Sequence, residues 1–210
     1  MGIYYKNVEQ YLDRIDSGAW VEIGVDRGEG STKFFADLAE AMSTEFYGVD
    51  ADPAQIERAI AALSINGKLP DHVHLSASKG EDFLDKFDRS KKVSLVYLDN
   101  FDWNYWLAVP EESFVPGQRQ HYKDVLKVEM LNLNSQLVHL VQAIKLMPLM
   151  NANSIIVCDD TWYEPKEGIF IGKCSAAVPF LITQGYQLIH HSGYRNHNGG
   201  AGAILGRFAK

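Results

Sequence analysis

The sequence predicts an α/β domain built on a mostly parallel sheet. Short apolar runs rich in Val, Ile and Tyr alternate with longer segments of helical period, which is the pattern of a parallel sheet covered by helices. The run at residues 93–98 is almost continuously apolar, as is typical of a central strand. The 210 residues, 46% of them hydrophobic, suit one compact core, so we expect a single domain over residues 1–210.

The elements follow one another at regular spacing. Strands are predicted at residues 20–25, 46–49, 73–75, 93–98 and 154–158, and two last strands at 186–190 and 203–206 form a hairpin. Asp52 and Pro53 are a cap and first-turn pair that predicts a helix after the second strand. Leu137, Val141 and Ile144 supply the apolar stripe of the helix before the fifth strand. Residues 1–18 predict a short N-terminal helix, and residues 101–123 an aromatic, lid-like segment.

Charge and composition exclude several classes of partner. The formal net charge of −7 disfavours a nucleic-acid-binding surface, which is usually basic. No apolar run approaches the roughly 20 residues that cross a bilayer, and the N-terminus lacks the pattern of a secretory signal. We therefore expect a cytoplasmic protein with no membrane partner. Cys158 and Cys174 lack the spacing of a zinc site and are interpreted as buried thiols.

A glycine-rich loop follows the first strand and predicts a nucleoside pocket. Its sequence, EIGVDRGEGS at residues 22–31, contains Glu22, Gly24, Gly28, Gly30 and Ser31. Asp50 ends the second strand at about the offset from which a carboxylate accepts hydrogen bonds from ribose hydroxyls. The simpler alternative is that the glycines only shape a turn and Asp50 caps the next helix.

The same loop argues against a dinucleotide. Asp26 stands where the dinucleotide fingerprint has its second glycine, at the point of close approach to a pyrophosphate. S-adenosylmethionine carries no phosphate, and its ammonium needs an acceptor that Glu22 and the loop backbone could provide. The loop therefore favours S-adenosylmethionine over NAD.

These motifs resemble those of class I S-adenosylmethionine-dependent methyltransferases. VEIGVDRGEGST, FYGVDADP, VYLDNFDW and SIIVCDDTW are similar to four strand-end motifs of that family, in the branch of macrocin-type and catechol-type O-methyltransferases and cephalosporin-hydroxylase-like proteins. The resemblance implies a Rossmann-like sheet of seven strands in the order 3-2-1-4-5-7-6 with an antiparallel last strand. It places the cofactor against the loop glycines, Glu22, Asp50 and Asp99. The third-strand motif departs from the family, because Ser78 stands near the place of an adenine-binding acid.

Acidic residues also end the fourth and fifth strands. Asp99, Asp159 and Asp160 would converge beside the methyl donor if these strands are neighbours. The resemblance implies that acids at these positions hold magnesium, which would lower the pKa of a substrate hydroxyl. The alternative is that these aspartates cap helices or lie in a loop.

Two further residues are candidates for catalysis. Asp102, three residues after Asp99, is the predicted general base, and His121 could join it from the lid-like segment. Either could instead be an ordinary surface residue. The aromatic residues of that segment, Trp103, Tyr105, Trp106, Phe114 and Tyr122, predict a wall over a substrate ring, although they could equally form a subunit interface or extend the core.

The expected function is methylation of a small molecule, on oxygen and with the aid of magnesium, by a protein for which a homodimer is plausible. The alternatives are a hydroxylase-like or non-catalytic binding protein on the same fold, and a NAD-dependent oxidoreductase. Methylation of nucleic acid or protein is disfavoured, because the sequence has no basic stripe and no Asn-Pro-Pro-Tyr motif.

Overall fold

A computed structural model describes residues 4–103, 115–192 and 200–208. Seven of its strands form one sheet in the order β3-β2-β1-β4-β5-β9-β8, and β6 pairs with β7 separately. The strands are β1 (Ala19–Ile23), β2 (Phe46–Asp50), β3 (Val73–Ala77), β4 (Val93–Leu98), β5 (Met150–Asp159), β6 (Thr161–Glu164), β7 (Ile169–Gly172), β8 (Gln187–His191) and β9 (Gly202–Arg207).

Helices fill the connections between the strands of the large sheet. The α-helices are α1 (Ser31–Ala41), α2 (Pro53–Leu63), α3 (Gly80–Lys86), α4 (Val115–His121), α5 (Asn132–Leu146) and α6 (Ala177–Thr183). The predicted N-terminal helix is a 3₁₀ helix, Tyr4–Arg14, and a short π-helix, Tyr122–Leu126, continues α4. Asp52 caps α2 as predicted, since its side chain accepts the Ala54 amide at 2.9 Å.

The topology confirms the predicted sheet. Strands β1 to β5 pair in parallel, whereas β9 runs antiparallel to both β5 and β8. The observed order is the predicted one, with β9 and β8 in the last two places. Because the connections leave β1 in opposite directions towards β2 and β4, the carboxyl ends of these strands open a crevice in which such sheets bind ligands.

Alternate side chains of the strands build a core on each face of the sheet. Val21 and Ile23 of β1 point to one face, where α3, α5 and α6 pack, whereas Trp20 points to the other, where the 3₁₀ helix and α1 pack. Both cores are closed to water, and all five residues of β1 are buried. Cys158 and Cys174 are free thiols inside the first core, as predicted.

The structure corrects two expectations about the second half of the chain. A hairpin, β6–β7, follows β5, where the sequence analysis predicted no strands. The apolar stripe of α5 is also turned outwards: the exposed fractions of Leu137, Val141 and Ile144 are 48%, 39% and 49%. Its buried side instead carries Ser135, His139 and Gln142 beside Ala143 and Leu146.

The predicted lid-like segment is only partly described. Tyr105, Trp106 and Phe114 lie outside the described residues, as does most of residues 101–123 before α4. Tyr122 is buried, and its ring meets that of Phe101 edge-on at 4.8 Å between centroids. Within the described ranges, none of the helices combines the length and apolarity needed to cross a bilayer.

Gly28 lies where the loop after β1 touches α2. Its φ is +78°, and a Cβ there would lie 2.5 Å from the Cα of Ala59. Gly67 has the same φ of +78°, but nothing lies within 4 Å of its Cβ position. The two glycines thus share the backbone requirement and differ only in packing.

We expect Gly28→Ala to lower the free energy of unfolding by about 2–4 kcal/mol, because it combines a left-handed backbone with overpacking against α2. Gly67→Ala is the matched control and should cost only about 1 kcal/mol, the backbone contribution alone. Urea denaturation of both variants measures the difference. Equal losses would show that α2 moves away from the loop without cost.

Candidate functional site

A cavity of about 710 Å³ opens at the carboxyl ends of β1, β2, β4 and β5. It brings together most of the residues singled out in the sequence. Those that line it are Gly24, Asp50, Ser78, Asp99, Asp102, His121, Asp159 and Asp160. Glu22, Gly28, Gly30 and Ser31 do not line it, so their contact with a cofactor stays a prediction.

Asp50 is fixed in the cavity wall by the backbone around it. The Asp26 amide donates to one carboxylate oxygen at 3.1 Å, and the Asp52 amide donates to the other at 2.9 Å. Burial raises the pKa of Asp50, and these two hydrogen bonds partly offset the shift. Each oxygen has a second lone pair, so a carboxylate held this way can still accept hydrogen bonds from a ligand.

Gly24 allows the loop after β1 to press against the end of β4. Its φ is +102°, and a Cβ would lie 2.6 Å from the backbone of Asp99 and Asn100. The close approach therefore brings the loop and Asp99 to the same wall of the cavity.

After Asp26, which still lines the cavity, the loop turns away from it into α1. Gly30, with a φ of +64°, is the residue before the helix, and Ser31 is its buried first residue. Thr32 is also buried, and its hydroxyl donates to the Val25 carbonyl at 3.1 Å. In the structure, Gly28, Gly30 and Ser31 thus shape and anchor the loop.

Ser78 lies across the cavity from the glycine loop, just after β3. Its amide donates to the Asp50 carbonyl at 2.8 Å, and its hydroxyl donates to the Lys79 carbonyl at 3.1 Å. The side chain is half-buried at the cavity edge. Its hydroxyl could still accept a hydrogen bond there.

Glu22 is buried in the middle of β1. Its carboxyl group lies beside the hydroxyls of Ser31 and Thr32, but neither forms a well-aligned hydrogen bond with it. Burial raises its pKa to about 8; the Ser31 and Thr32 hydroxyls offset part of the shift, and the negative charges of Asp99 and Asp50 add to it. The carboxyl group is therefore largely protonated at neutral pH.

The three predicted metal ligands do meet. Asp99, Asp159 and Asp160 each offer an oxygen, and these oxygens lie within 4.8 Å of one another. Burial raises the pKa of Asp159 well above its ordinary value, and the charges of Asp99 and Asp160 push it the same way. The strand ends thus concentrate negative charge as the sequence predicted.

A lysine that the sequence did not single out lies among these acids. The Lys173 ammonium is 2.7 Å from Asp99 Oδ1 and 3.2 Å from Asp160 Oδ2, and only 5% of its side chain is exposed. Burial alone would lower its pKa, but the surrounding carboxylates raise it well above the ordinary value. Lys173 is therefore a permanent cation of the site.

This lysine decides how the acidic cluster fits magnesium. Three carboxylates at this separation are a suitable set of oxygen ligands. The ammonium, however, already contacts two of them, so a divalent ion would have to displace a buried positive charge. As arranged, these residues do not fit a magnesium ion. Magnesium binding is therefore a prediction of the sequence alone.

Asp102 and His121 reach the cavity from the chain after β4. The Asp102 amide donates to the Tyr122 hydroxyl at 2.5 Å, which ties the loop to the π-helix. Burial raises the pKa of Asp102, although Lys173 and the Tyr122 hydroxyl offset part of the shift. His121 Nε2 lies 3.4 Å from Asp52 Oδ2, at the end of the cavity next to Asp50.

No protein-family model and no curated protein sequence matches the chain. Solved structures do. A Streptococcus mutans protein named as a methyltransferase, solved with S-adenosylhomocysteine, superposes with a TM-score of 0.60 at 12% identity over 98% of each chain. The fold is that of the class I methyltransferases.

Two other similar structures extend this likeness. An rRNA methylase from Streptococcus thermophilus has a TM-score of 0.57 at 12% identity, over 98% of this chain and 97% of its own. The N-methyltransferase NodS from Bradyrhizobium japonicum has a TM-score of 0.54 at 13% identity, over 98% and 92%. At these identities the likeness concerns the fold and leaves the atom methylated open.

We expect Glu22→Gln to remove a loss of stability that the wild-type protein suffers as pH rises. The folded-state pKa of about 8 exceeds the ordinary 4.5, so the folded protein holds a proton that the unfolded chain has released between these values. Wild-type stability therefore falls across this window. Relative to wild type, the variant should gain at least about 1.4 kcal/mol between pH 5 and pH 8, the equivalent of one pKa unit.

Denaturation at several pH values measures this difference. Glu40→Gln, at the exposed end of α1, is the control and should follow the wild-type curve. If Glu22→Gln also follows that curve, the Glu22 carboxyl is hydrated in the folded protein and the expectation is wrong.

Proposed function

We propose that this chain is an S-adenosylmethionine-dependent methyltransferase that methylates an oxygen atom of a small molecule. The observation that carries the proposal is Asp50, whose carboxylate faces the cavity between the glycine loop and Ser78. Two backbone amides fix this carboxylate, so it is ready to accept hydrogen bonds before any ligand arrives. The methyltransferase fold supports the same conclusion.

When bound, S-adenosylmethionine supplies a methyl group on a cationic sulfonium. In our proposal the Asp50 carboxylate accepts hydrogen bonds from the ribose hydroxyls, and Ser78 contacts the adenine base. Gly24, which has no side chain, leaves room for the methionine part of the ligand. Asp99 lies on the same cavity wall as Gly24, and its negative charge favours the positive charge of the ligand. We propose that Glu22 acts from behind the loop, and that Gly28, Gly30 and Ser31 hold the loop in place.

The acceptor would lie next to Asp102, which we propose as the general base. A carboxylate whose pKa is raised by burial removes a proton from a hydroxyl better than an ordinary aspartate. The Tyr122 hydroxyl positions Asp102 by accepting a hydrogen bond from the Asp102 backbone amide. His121 lines the same cavity and is a second candidate for proton transfer. Because methyl transfer needs an in-line approach, this positioning contributes as much as basicity.

The charge of the cavity supports a small-molecule substrate. Of the residues that the structure describes, eight acids line it, against Lys79, Lys173 and His121; the acids are Asp26, Asp50, Asp52, Glu81, Asp99, Asp102, Asp159 and Asp160. A phosphate backbone would be repelled by this surface. Although one similar structure is an rRNA methylase, we therefore favour a small molecule.

The cavity also bears on the rival functions. Asp26 lines it with a φ of +45°, where the pyrophosphate of NAD would come close, so it disfavours the oxidoreductase. A binding protein without catalysis, or a hydroxylase-like protein, would use the same Asp50 pocket. The formation of S-adenosylhomocysteine from S-adenosylmethionine separates these from a methyltransferase.

A cytoplasmic location and a homodimer also stay predictions. The exposed stripe on α5, with Leu133 at its start, is where a second copy could bury apolar area. Sedimentation of the purified protein gives the mass that decides between monomer and dimer.

We expect calorimetric titration with S-adenosylmethionine and with S-adenosylhomocysteine to give heat from one site, and titration with NADH to give none. Asp50→Asn should weaken S-adenosylhomocysteine binding at least tenfold, about 1.4 kcal/mol, because the amide keeps one acceptor oxygen but loses the charge. Asp71→Asn, on the exposed surface, should leave binding unchanged. Heat from neither sulfur ligand would remove the proposed function.

A further inference from the structure

The hairpin β6–β7 brings Lys173 to the cavity. The hairpin β6–β7 leaves the sheet directly after Asp160 and returns to it at Gly172. Thr161 pairs with Gly172 at the base of this hairpin. The chain thus makes an excursion of about a dozen residues and comes back beside the acids that it left.

The base of the hairpin fixes the lysine backbone. The Lys173 amide donates to the Asp160 carbonyl at 3.1 Å, and the Cys174 amide donates to the Thr161 hydroxyl at 3.0 Å. Asp160 and Gly172 both have left-handed backbones, with φ of +44° and +107°. A Cβ at residue 172 would overlap the Asp160 carbonyl oxygen, so only glycine fits this closure. Lys173 therefore lies where it does because of a specific local structure.

The lysine ammonium faces the cavity and has hydrogen-bonding capacity left. The ammonium donates to Asp99 Oδ1 at 2.7 Å and forms an ion pair with Asp160 Oδ2 at 3.2 Å. The next acceptor, the Asp99 carbonyl, is 3.5 Å away, at the limit of a hydrogen bond. A ligand oxygen in the cavity that Lys173 lines could replace this weakest contact and accept the N–H in its stead.

We propose that the Lys173 ammonium takes the place of a divalent metal ion in the cluster of Asp99, Asp159 and Asp160, and that it binds the acceptor oxygen of the substrate. The role at the acceptor rests on the proposed methyltransferase function. The role as resident cation does not, because it follows from the ion pairs alone.

Residues of this chain can then accept the proton and stabilise the charge that the methyl transfer produces. As the acceptor oxygen approaches, its hydroxyl proton passes to the Asp102 carboxylate, and the Lys173 ammonium stabilises the negative charge left on that oxygen. A lone pair of the oxygen forms the bond to the methyl carbon, while the pair of the carbon–sulfur bond stays on sulfur as a thioether. One N–H contacts one oxygen, so the substrate needs a single acidic hydroxyl, whereas a metal ion would favour a chelating diol.

The test uses Mn²⁺, whose electron paramagnetic resonance signal distinguishes free from protein-bound ion. We expect no binding by the wild-type protein up to 1 mM Mn²⁺, on the order of the upper limit for dedicated sites. Lys173→Met should bind one Mn²⁺ at least tenfold more tightly than wild type, because it removes the cation that contacts two of the three carboxylates. Lys166→Met, at the exposed tip of the same hairpin, is the control and should match wild type.

Removing a buried cation from carboxylates is strongly destabilising, so Lys173→Gln provides a second variant with a polar side chain. Circular dichroism shows which variants fold, and any folded one should gain the ion. Binding of one Mn²⁺ by the wild-type protein, or no gain in a folded variant, would overturn the proposal. If S-adenosylhomocysteine gives no heat while the Mn²⁺ results hold, the methyltransferase function fails and the lysine remains the resident cation.

Discussion

The ion pair between Lys173 and Asp99 balances an accumulation of acid that the sheet topology creates. Parallel strands end at one edge, so acids after β4 and β5 meet there. Uncompensated, they would repel one another in a site that is largely shielded from water. The ammonium 2.7 Å from Asp99 lets these carboxylates stay together. The hairpin β6–β7 lies outside the main sheet, but it positions Lys173, the residue that directly follows it, in the site.

The glycine loop shows how packing and binding divide among similar residues. Gly24 is required by the backbone of Asp99 and Asn100, and Gly28 by α2. Of these two glycines, Gly24 lines the cavity and Gly28 does not. One glycine of the motif therefore leaves space for a ligand, and the other allows the loop to pack against a helix. The same backbone delivers the Asp26 amide to Asp50, which couples the shape of the loop to the orientation of the carboxylate.

The sequence predicted those features that depend on local pattern. The strands, their order and the Asp52 cap are confirmed, since period and capping residues specify them. Lys173 could not be found this way, because its partners Asp99 and Asp160 are 74 and 13 positions away and lysine side chains are normally exposed. The hairpin has only a weak signal in the sequence, the four-residue runs TWYE and IFIG on either side of Pro165 and Gly168, which is too short to predict strands.

The orientation of α5 shows a case in which the site outweighs the period of the sequence. Its polar side braces the cavity: the Ser135 hydroxyl donates to the Phe101 carbonyl at 3.1 Å, and the Gln142 amide donates to Glu81 at 3.1 Å. Burial lowers the pKa of His139 to about 4, so this side adds no charge near Lys173. Supporting the loop after β4 thus leaves the apolar stripe exposed, because one helix cannot turn both faces inwards.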